Sequence, residues 1–202
     1  MNKPANNPLI EKSPYKNNVP AYDLVKTEHF MPALEWAIAD EKEKIEQIKK
    51  ISEPNFENII EALEHTGNYL DIVTSVFFHF DGVKNTDQIQ AISQEFKTKL
   101  TQHGSDISLD EGLFAQIKKV YDNRAEFNLT EEQALLLEDS YKSFVRNGAL
   151  LSEDEKQKLR SIDEKLSEIK NNFSNNILSE TNKFQLYIED ESQLSGLPEG
   201  AK

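Results

Sequence analysis

The sequence predicts a mainly α-helical protein with several antiparallel helices, an extended amino-terminal arm and one carboxy-terminal β-strand. Three observations support this fold class. Glycine accounts for only 7 of 202 residues, which argues against a turn-rich all-β fold. Over most of the chain, apolar residues recur at intervals of three and four, the spacing of an amphipathic helix. Several of these patterns begin just after Thr, Ser or Asp, residues that cap helix amino termini.

The composition limits the classes of function. Apolar residues make up 37% of the chain and charged residues 29%, as expected for helices with one solvated face. A net charge of −13 repels phosphate backbones, so we expect no nucleic-acid partner. The absence of cysteine excludes disulfides, thiol nucleophiles and thiolate ligands. Because no stretch approaches the ~20 apolar residues of a membrane span, and the first residues lack the apolar run of a signal peptide, we expect a cytoplasmic protein without membrane contact.

Residues 1–26 are predicted to form the extended arm. Prolines at positions 4, 8, 14 and 20 forbid a continuous helix, since each lacks a backbone N–H and restricts the residue before it. Dispersed apolar residues predict that this arm lies on a surface, such as that of its own domain.

Residues 27–182 are predicted to form the helical domain. Thr27 is the expected cap of a first helix that reaches about Lys50, and the next apolar pattern runs from Phe56 to Phe80. Gly67 interrupts that pattern, at a cost of roughly 1 kcal/mol relative to alanine, so it permits close packing or marks a bend. The end of this pattern, TSVFFHF, is apolar on nearly every side, which predicts burial against several neighbours.

Four further helices are predicted from caps and periodicity. Thr86 and Asp110 are expected caps, and two pairs form capping-box patterns, Thr130 with Gln133 and Ser152 with Glu155. Gly148 lies where a helix carboxyl terminus favours glycine. The last helix is expected to extend to about residue 180 and carries apolar residues at alternating intervals of three and four: Leu159, Ile162, Leu166, Ile169 and Phe173. We expect this stripe to pack within its own domain, with an oligomer interface as the alternative.

Residues 183–202 are predicted to be a strand and a linker. Phe184, Leu186 and Ile188 alternate with polar residues, which is strand patterning over 184–189. A lone strand after an all-helical chain has no partner, which suggests that its partner lies in absent chain.

No set of residues in this sequence predicts catalysis or metal binding. The histidines, at positions 29, 65, 79 and 103, are too far apart for the His-Glu-x-x-His pattern of zinc peptidases. We expect His79 to pack at a helix end, although it would be a ligand if distant residues converged on it. The aromatic cluster of Phe77, Phe78 and Phe80 is expected in the core, with a ligand groove as the alternative. Acidic runs near 153 and 189 are expected to be solvated. Catalytic and metal residues are therefore predicted to be none, and substrate-binding residues stay unknown.

A series of segments, read in order, resembles one known family. The text YDLVKTEHFMPALEWAI and PNFENIIEALEHTGNYLDIVTSVFFHF begins the series. The resemblance is to the amino-terminal region of the thimet oligopeptidase family of zinc metallopeptidases, especially bacterial oligopeptidase A and peptidyl-dipeptidase Dcp. It extends from NPLI to GLPE and depends on these colinear matches: Glu28-His29-Phe30, Pro32-Ala33-Leu34, Phe56 and Asn58, Ala62-Leu63-Glu64, Ser75-Val76-Phe77-Phe78, Phe144-Val145-Arg146, Gly148-Ala149, Phe173-Ser174 and Glu180-Thr181-Asn182.

The resemblance implies a non-catalytic role for this chain. Members of the family are longer, and their zinc site lies in the carboxy-terminal half, which has no counterpart here. This chain would form one wall of a channel that admits short peptides, with its own carboxy-terminal catalytic domain and short peptides as partners. The chain itself would carry no cofactor, and zinc would belong to the full-length parent. The alternative is a free-standing helical module that binds peptides or acts as an adaptor without enzymatic activity.

Overall fold

The computed structural model describes residues 2–198 and 200, and the prediction of a mainly α-helical fold is confirmed. A short π-helical turn, Phe56–Glu61, leads into the second helix, and single 3-10 turns occur at Lys16–Asn18, Arg124–Glu126 and Glu191–Leu194. The α-helices in chain order are α1 Thr27–Lys49, α2 Ala62–Glu64, α3 Asn68–Val83, α4 Asp87–Ser108, α5 Glu111–Asp122, α6 Glu131–Arg146 and α7 Glu153–Lys183.

The predicted caps of α4, α5 and α6 are confirmed. The side chains of Thr86, Asp110 and Thr130 each accept a hydrogen bond from the backbone N–H three residues later. The side-chain Oε1 of Gln133 in turn accepts a hydrogen bond from the Thr130 N–H at 3.0 Å, which completes a capping box. Before α7, Glu155 accepts hydrogen bonds from both the backbone and the hydroxyl of Ser152. These bonds satisfy N–H groups that a helix start leaves without intrahelical partners.

Helix α1 begins differently from the prediction. Thr27 is already helical, and Lys26 occupies the cap position. The ring of His29 takes over the capping role: its Nδ1 accepts the Lys26 N–H at 3.0 Å. The prediction of Thr27 as cap was therefore wrong by one residue, and the side-chain bond at this helix start is made by His29 to the Lys26 N–H.

Two buried apolar clusters share α1. The first core joins the amino-terminal half of α1 to α3, α4 and to Leu9 and Ile10 of the preceding segment. The second core joins the last turns of α1 to the π-helical turn, α5 and α6. Glu41 lies on α1 between the residues that belong to the two cores, and it is itself buried. Helix α1 therefore holds the two groups of helices together.

The apolar pattern from Phe56 to Phe80 is divided at Gly67, as one of the two predicted alternatives has it. Helix α2 ends at Glu64, and α3 begins at Asn68. A Cβ atom at Gly67 would lie 3.0 Å from Oε1 of Glu41, which is closer than ordinary packing allows. Gly67 therefore serves both predicted purposes, since it marks the break and admits the close approach of α1.

The stretch TSVFFHF forms the last turns of α3, and it is buried on one side only. Val76 and Phe77 are completely buried, and the Phe77 ring stacks on Phe96 of α4 with 3.7 Å between centroids. Phe78 is 43% exposed and His79 also faces outward. The expected burial against neighbours on nearly every side was wrong for these two residues, because α3 has neighbours on only part of its circumference.

Gly148 ends α6 as predicted. Its φ of +98° lies in the left-handed region, where a side chain adds strain. A Cβ atom there would also lie 2.8 Å from Leu151 and 3.0 Å from Leu159. The turn into α7 therefore needs glycine both for its backbone and for the packing of α7 against it.

The described residues divide into two compact units, one up to Glu168 and one from Ile169. The second unit contains the last turns of α7, an irregular segment and the 3-10 turn. The prediction of a β-strand over 184–189 was wrong: no strand occurs among the described residues, and these side chains are exposed. Alternating apolar residues cannot form a ladder by themselves, because a strand needs a neighbour to receive its hydrogen bonds.

The stripe along α7 does not pack as expected. Leu159 is half-buried, whereas Ile162, Ile169 and Phe173 are 60%, 63% and 64% exposed. The expectation that the whole stripe packs within its own domain was therefore wrong beyond its first residue.

Candidate functional site

The structure places the four histidines in separate surroundings. His29 caps α1, His65 follows α2 on the surface, and His79 faces outward from α3 with its ring centroid 5.3 Å from that of Tyr22. His103 is buried on α4. Across the part of the chain that the structure describes, no three His, Asp or Glu side chains are grouped so that they could hold a metal ion.

His103 belongs to a buried polar pair that sequence reasoning missed. Its Nε2 lies 2.8 Å from Oε2 of Glu41, and the His103 side chain is only 2% exposed. Thr66 is buried beside them, with its hydroxyl 2.8 Å from the Leu63 carbonyl oxygen, to which it donates. The pair links α1 to α4 between the two cores.

The buried position of this pair makes it structural. Nδ1 of His103 has no partner among the described residues. A neutral ring that carries its proton on Nε2 leaves only a lone pair at Nδ1, which costs less than an unpaired N–H group. In that tautomer His103 donates a hydrogen bond to Glu41.

A surface cleft of about 560 Å³ lies between α1, the junction of α4 and α5, and the start of α7. Its acidic side chains are held in ion pairs. Asp106 contacts Lys42 at 2.8 Å and Arg160 at 2.7 Å. Partial burial of Asp106 would raise its pKa, but the hydrogen bonds and charges of Lys42 and Arg160 outweigh it and hold the pKa below its ordinary value.

A second group of ion pairs closes the other side of this cleft. Lys156 of α7 is buried, and its Nζ lies 2.8 Å from Glu111 and 3.3 Å from Glu153. Burial lowers the pKa of Lys156, yet the two carboxylates more than compensate and raise it above its ordinary value. The hydrogen bond from Lys156 also lowers the pKa of Glu111. Lys49 bridges Glu46 at 2.6 Å and Asp110 at 2.8 Å in the same way.

The electrostatics of the cleft favour structure over acid–base chemistry. A carboxyl group that acts as a general acid near neutral pH needs a raised pKa. The shifts of Asp106 and Glu111 run in the opposite direction. These groups stay ionised and bind α7 to α1, α4 and α5.

The aromatic cluster of α3 contributes to a smaller cleft of about 340 Å³. Phe80 lines this cleft together with Val25, Thr86 and Ile89. Phe77 and Phe80 both belong to the first core, as expected, whereas Phe78 is exposed and its ring centroid lies 5.7 Å from that of Phe77. The charged residues that line this cleft are Lys26, Glu28 and Lys84.

Comparison with known proteins gives a consistent result. Residues 34–157 match the sequence model of the N-terminal domain of neurolysin/thimet oligopeptidase. A dipeptidyl carboxypeptidase of Salmonella typhimurium is 30% identical over 192 residues, which is 95% of this chain and 28% of that protein. Oligopeptidase A of Haemophilus influenzae is 30% identical over 197 residues, which is 96% of this chain and 28% of that protein. A probable cytosolic oligopeptidase A of Arabidopsis thaliana is 25% identical over 197 residues, 98% of this chain and 28% of that protein.

The chain thus spans a little over a quarter of the length of these relatives. Among the residues that the structure describes, no helix is both long enough and apolar enough to cross a membrane.

Proposed function

The chain belongs to the neurolysin/thimet oligopeptidase family, and on that premise we propose that it is the non-catalytic amino-terminal domain of a zinc-dependent oligopeptidase or peptidyl-dipeptidase. The observation that carries the proposal is the match of residues 34–157 to the N-terminal domain of the family. Relatives named dipeptidyl carboxypeptidase and oligopeptidase A align with nearly all of this chain. The alignment reaches only 28% of their length, which leaves most of such a protein to carry the chemistry.

The side chains of the described residues do not form a donor set that fits a zinc ion. Catalytic zinc sites use three protein ligands, mostly histidine and carboxylate, at bonding distance from one metal. The described residues contain no such group, and the buried His103 is already paired with Glu41. The zinc of the proposed parent enzyme would therefore be held by chain beyond the residues described here.

The proposed role of residues 27–182 is to form one wall of a channel that admits short peptides. A wall that excludes folded proteins must keep its shape. Helix α1 contacts α3, α4 and α5. The buried pair Glu41–His103 and the ion pair between buried Lys156 and exposed Glu111 fix the helices against each other. This rigidity supports the role, with short peptides and the catalytic part of the same protein as partners and the cytoplasm as the location.

A fusion protein tests the proposal. The present chain replaces the matched amino-terminal region of the Salmonella typhimurium dipeptidyl carboxypeptidase, and the remaining part of that enzyme is also made alone. Both proteins are given quenched fluorescent peptides of increasing length and a folded globular protein, with and without a metal chelator.

The proposal predicts that the fusion cleaves short peptides in a chelator-sensitive manner and leaves the folded protein intact. The remaining part alone should lose either activity or this size limit, because one wall is missing. A fusion that cleaves the folded protein as readily as the short peptides would contradict the wall function.

A further inference from the structure

The last part of the chain exposes an unusual amount of apolar surface. Among the described residues, half of the large apolar side chains that are exposed lie between Ile162 and Leu197, in about the last fifth of the chain. In the second unit, Ile169, Phe173 and Ile177 of α7 are 63%, 64% and 52% exposed. Monomeric proteins rarely leave contiguous apolar surface of this kind without a partner.

These three residues form one face of α7, which we call the terminal apolar face. They follow each other at intervals of four, which places their side chains above one another on a helix. Residues 171–179, which include Phe173 and Ile177, read NNFSNNILS and carry no charge, although 29% of the whole chain is charged. Depletion of charge around apolar and aromatic anchors is typical of the centre of a protein interface.

The apolar surface continues after the helix. Phe184, Leu186 and Tyr187 are 75%, 73% and 79% exposed. Aromatic residues are enriched among those that contribute most to binding energy, and two of these three are aromatic. The second unit therefore presents anchors both on α7 and in the segment that follows it.

The exposed segment lies in a part of the chain that the relatives share. The match to the N-terminal domain of the family ends at residue 157, before the terminal apolar face begins. The similarity to the relatives nevertheless continues over 192 to 197 residues. The exposed segment is thus shared with proteins that carry far more chain, and it lies outside the part that defines their N-terminal domain.

We propose that the terminal apolar face of Ile169, Phe173 and Ile177 is the docking surface for the catalytic part of a family chain. This inference rests on the proposed function and names the surface through which the two parts join. A second copy of this chain is a poorer occupant, because a net charge of −13 per copy opposes the approach of two copies.

Cysteine labelling tests this inference directly, since the chain contains no cysteine. Phe173→Cys is introduced into the chain alone and into the Salmonella fusion described above, and the rate of its reaction with a maleimide is followed by mass spectrometry of the labelled peptide. Leu135→Cys is the matched control, because Leu135 of α6 is 57% exposed and lies outside the proposed surface.

In the chain alone, both cysteines should react at similar rates. In the fusion, Phe173→Cys should react at least about tenfold more slowly, because labelling then requires the docked parts to separate, while Leu135→Cys keeps its rate. A fusion in which Phe173→Cys reacts as fast as in the chain alone would overturn the proposal, as would a fusion that does not fold.

The peptidase assay separates this inference from the proposed function. An active, size-selective fusion with a freely reactive Phe173→Cys would leave the wall function standing and overturn the docking surface. A Phe173→Cys that reacts slowly in a fusion without size selection would support the docking surface and overturn the wall function. Protection in the chain alone, together with a dimer in light scattering, would assign the surface to a second copy and also overturn the proposal.

Discussion

Replacing Phe77 with alanine should destabilise the first core far more than the same change at its neighbour Phe78. Phe77 is completely buried. Its ring stacks on Phe96 with centroids 3.7 Å apart and meets Phe30 edge-on at 5.3 Å. Phe78 is the next residue of α3 but is 43% exposed, so the two substitutions remove identical atoms from different surroundings.

The expected magnitudes follow from burial. Truncation of a fully buried phenylalanine costs about 3–5 kcal/mol through lost transfer free energy and the cavity that remains, and the stacked ring pair adds to this cost. We therefore expect the free energy of unfolding to fall by about 4 kcal/mol for Phe77→Ala. For Phe78→Ala we expect about 1 kcal/mol, because much of that ring already contacts water.

Urea unfolding followed by the fluorescence of Trp36 measures both values. Trp36 is the single tryptophan of the chain and belongs to the first core, so its signal reports the unfolding of the same cluster. If Phe77→Ala cost no more than Phe78→Ala, the assignment of these two rings to core and surface would be refuted.

Three further predictions concern the turn, the buried pair and the cleft. Gly148→Ala should lower the melting temperature by an amount that corresponds to about 1–2 kcal/mol, because its φ is +98°; Gly82→Ala, where a Cβ meets nothing within 4 Å, should leave it unchanged or raise it. His103→Leu alone should lower the free energy of unfolding by about 3 kcal/mol, because it leaves Glu41 buried without its partner. The double variant that also carries Glu41→Met should lose less. Urea unfolding of the variants in a double-mutant cycle measures both values. The pKa of Asp106 is lowered in the folded chain, so its carboxylate stabilises the fold at pH values above the unfolded pKa of ~3.9. This stabilisation is lost as the pH falls through the lower pKa of the folded state. The urea midpoint of the native chain should therefore approach that of Asp106→Asn as the pH is lowered from neutral to acid.

The helices were predictable because their signals are local. Thr86, Asp110 and Thr130 each directly precede the first residue of a helix, and a capping hydrogen bond spans only three residues. Gly148 was predictable for the same reason, since the residue after a helix end must adopt a left-handed backbone. Such features depend on little beyond the adjacent turn.

The predicted strand shows where local patterning misleads. Phe184, Leu186 and Ile188 alternate as strand residues do, but a strand exists only when a neighbour accepts its hydrogen bonds. The same limit applies to α7, because helical periodicity reveals which face is apolar and not what covers it. Both errors concern contacts with distant chain, which a single segment does not encode.

The buried Glu41–His103 pair is visible in the sequence as one polar residue on each of two apolar helix stripes. Glu41 follows Leu34 by seven residues and precedes Ile45 by four, so it lies on the apolar stripe of α1. His103 continues the stripe of α4 in the same way, three residues after Leu100. A polar residue on each of two core stripes predicts a buried pair, since neither group is stable there without a partner. Which helices meet was not encoded in either stripe.

The most direct test of the central claim is a peptidase assay on the present chain with added zinc. We predict that a quenched fluorescent peptide is cleaved no faster than without protein. We also predict no tight zinc binding in a parallel calorimetric titration. If a preparation free of other peptidases cleaved the peptide and a chelator abolished this activity, these residues would bind a catalytic metal. That result would contradict the claim that the chain is structural and non-catalytic.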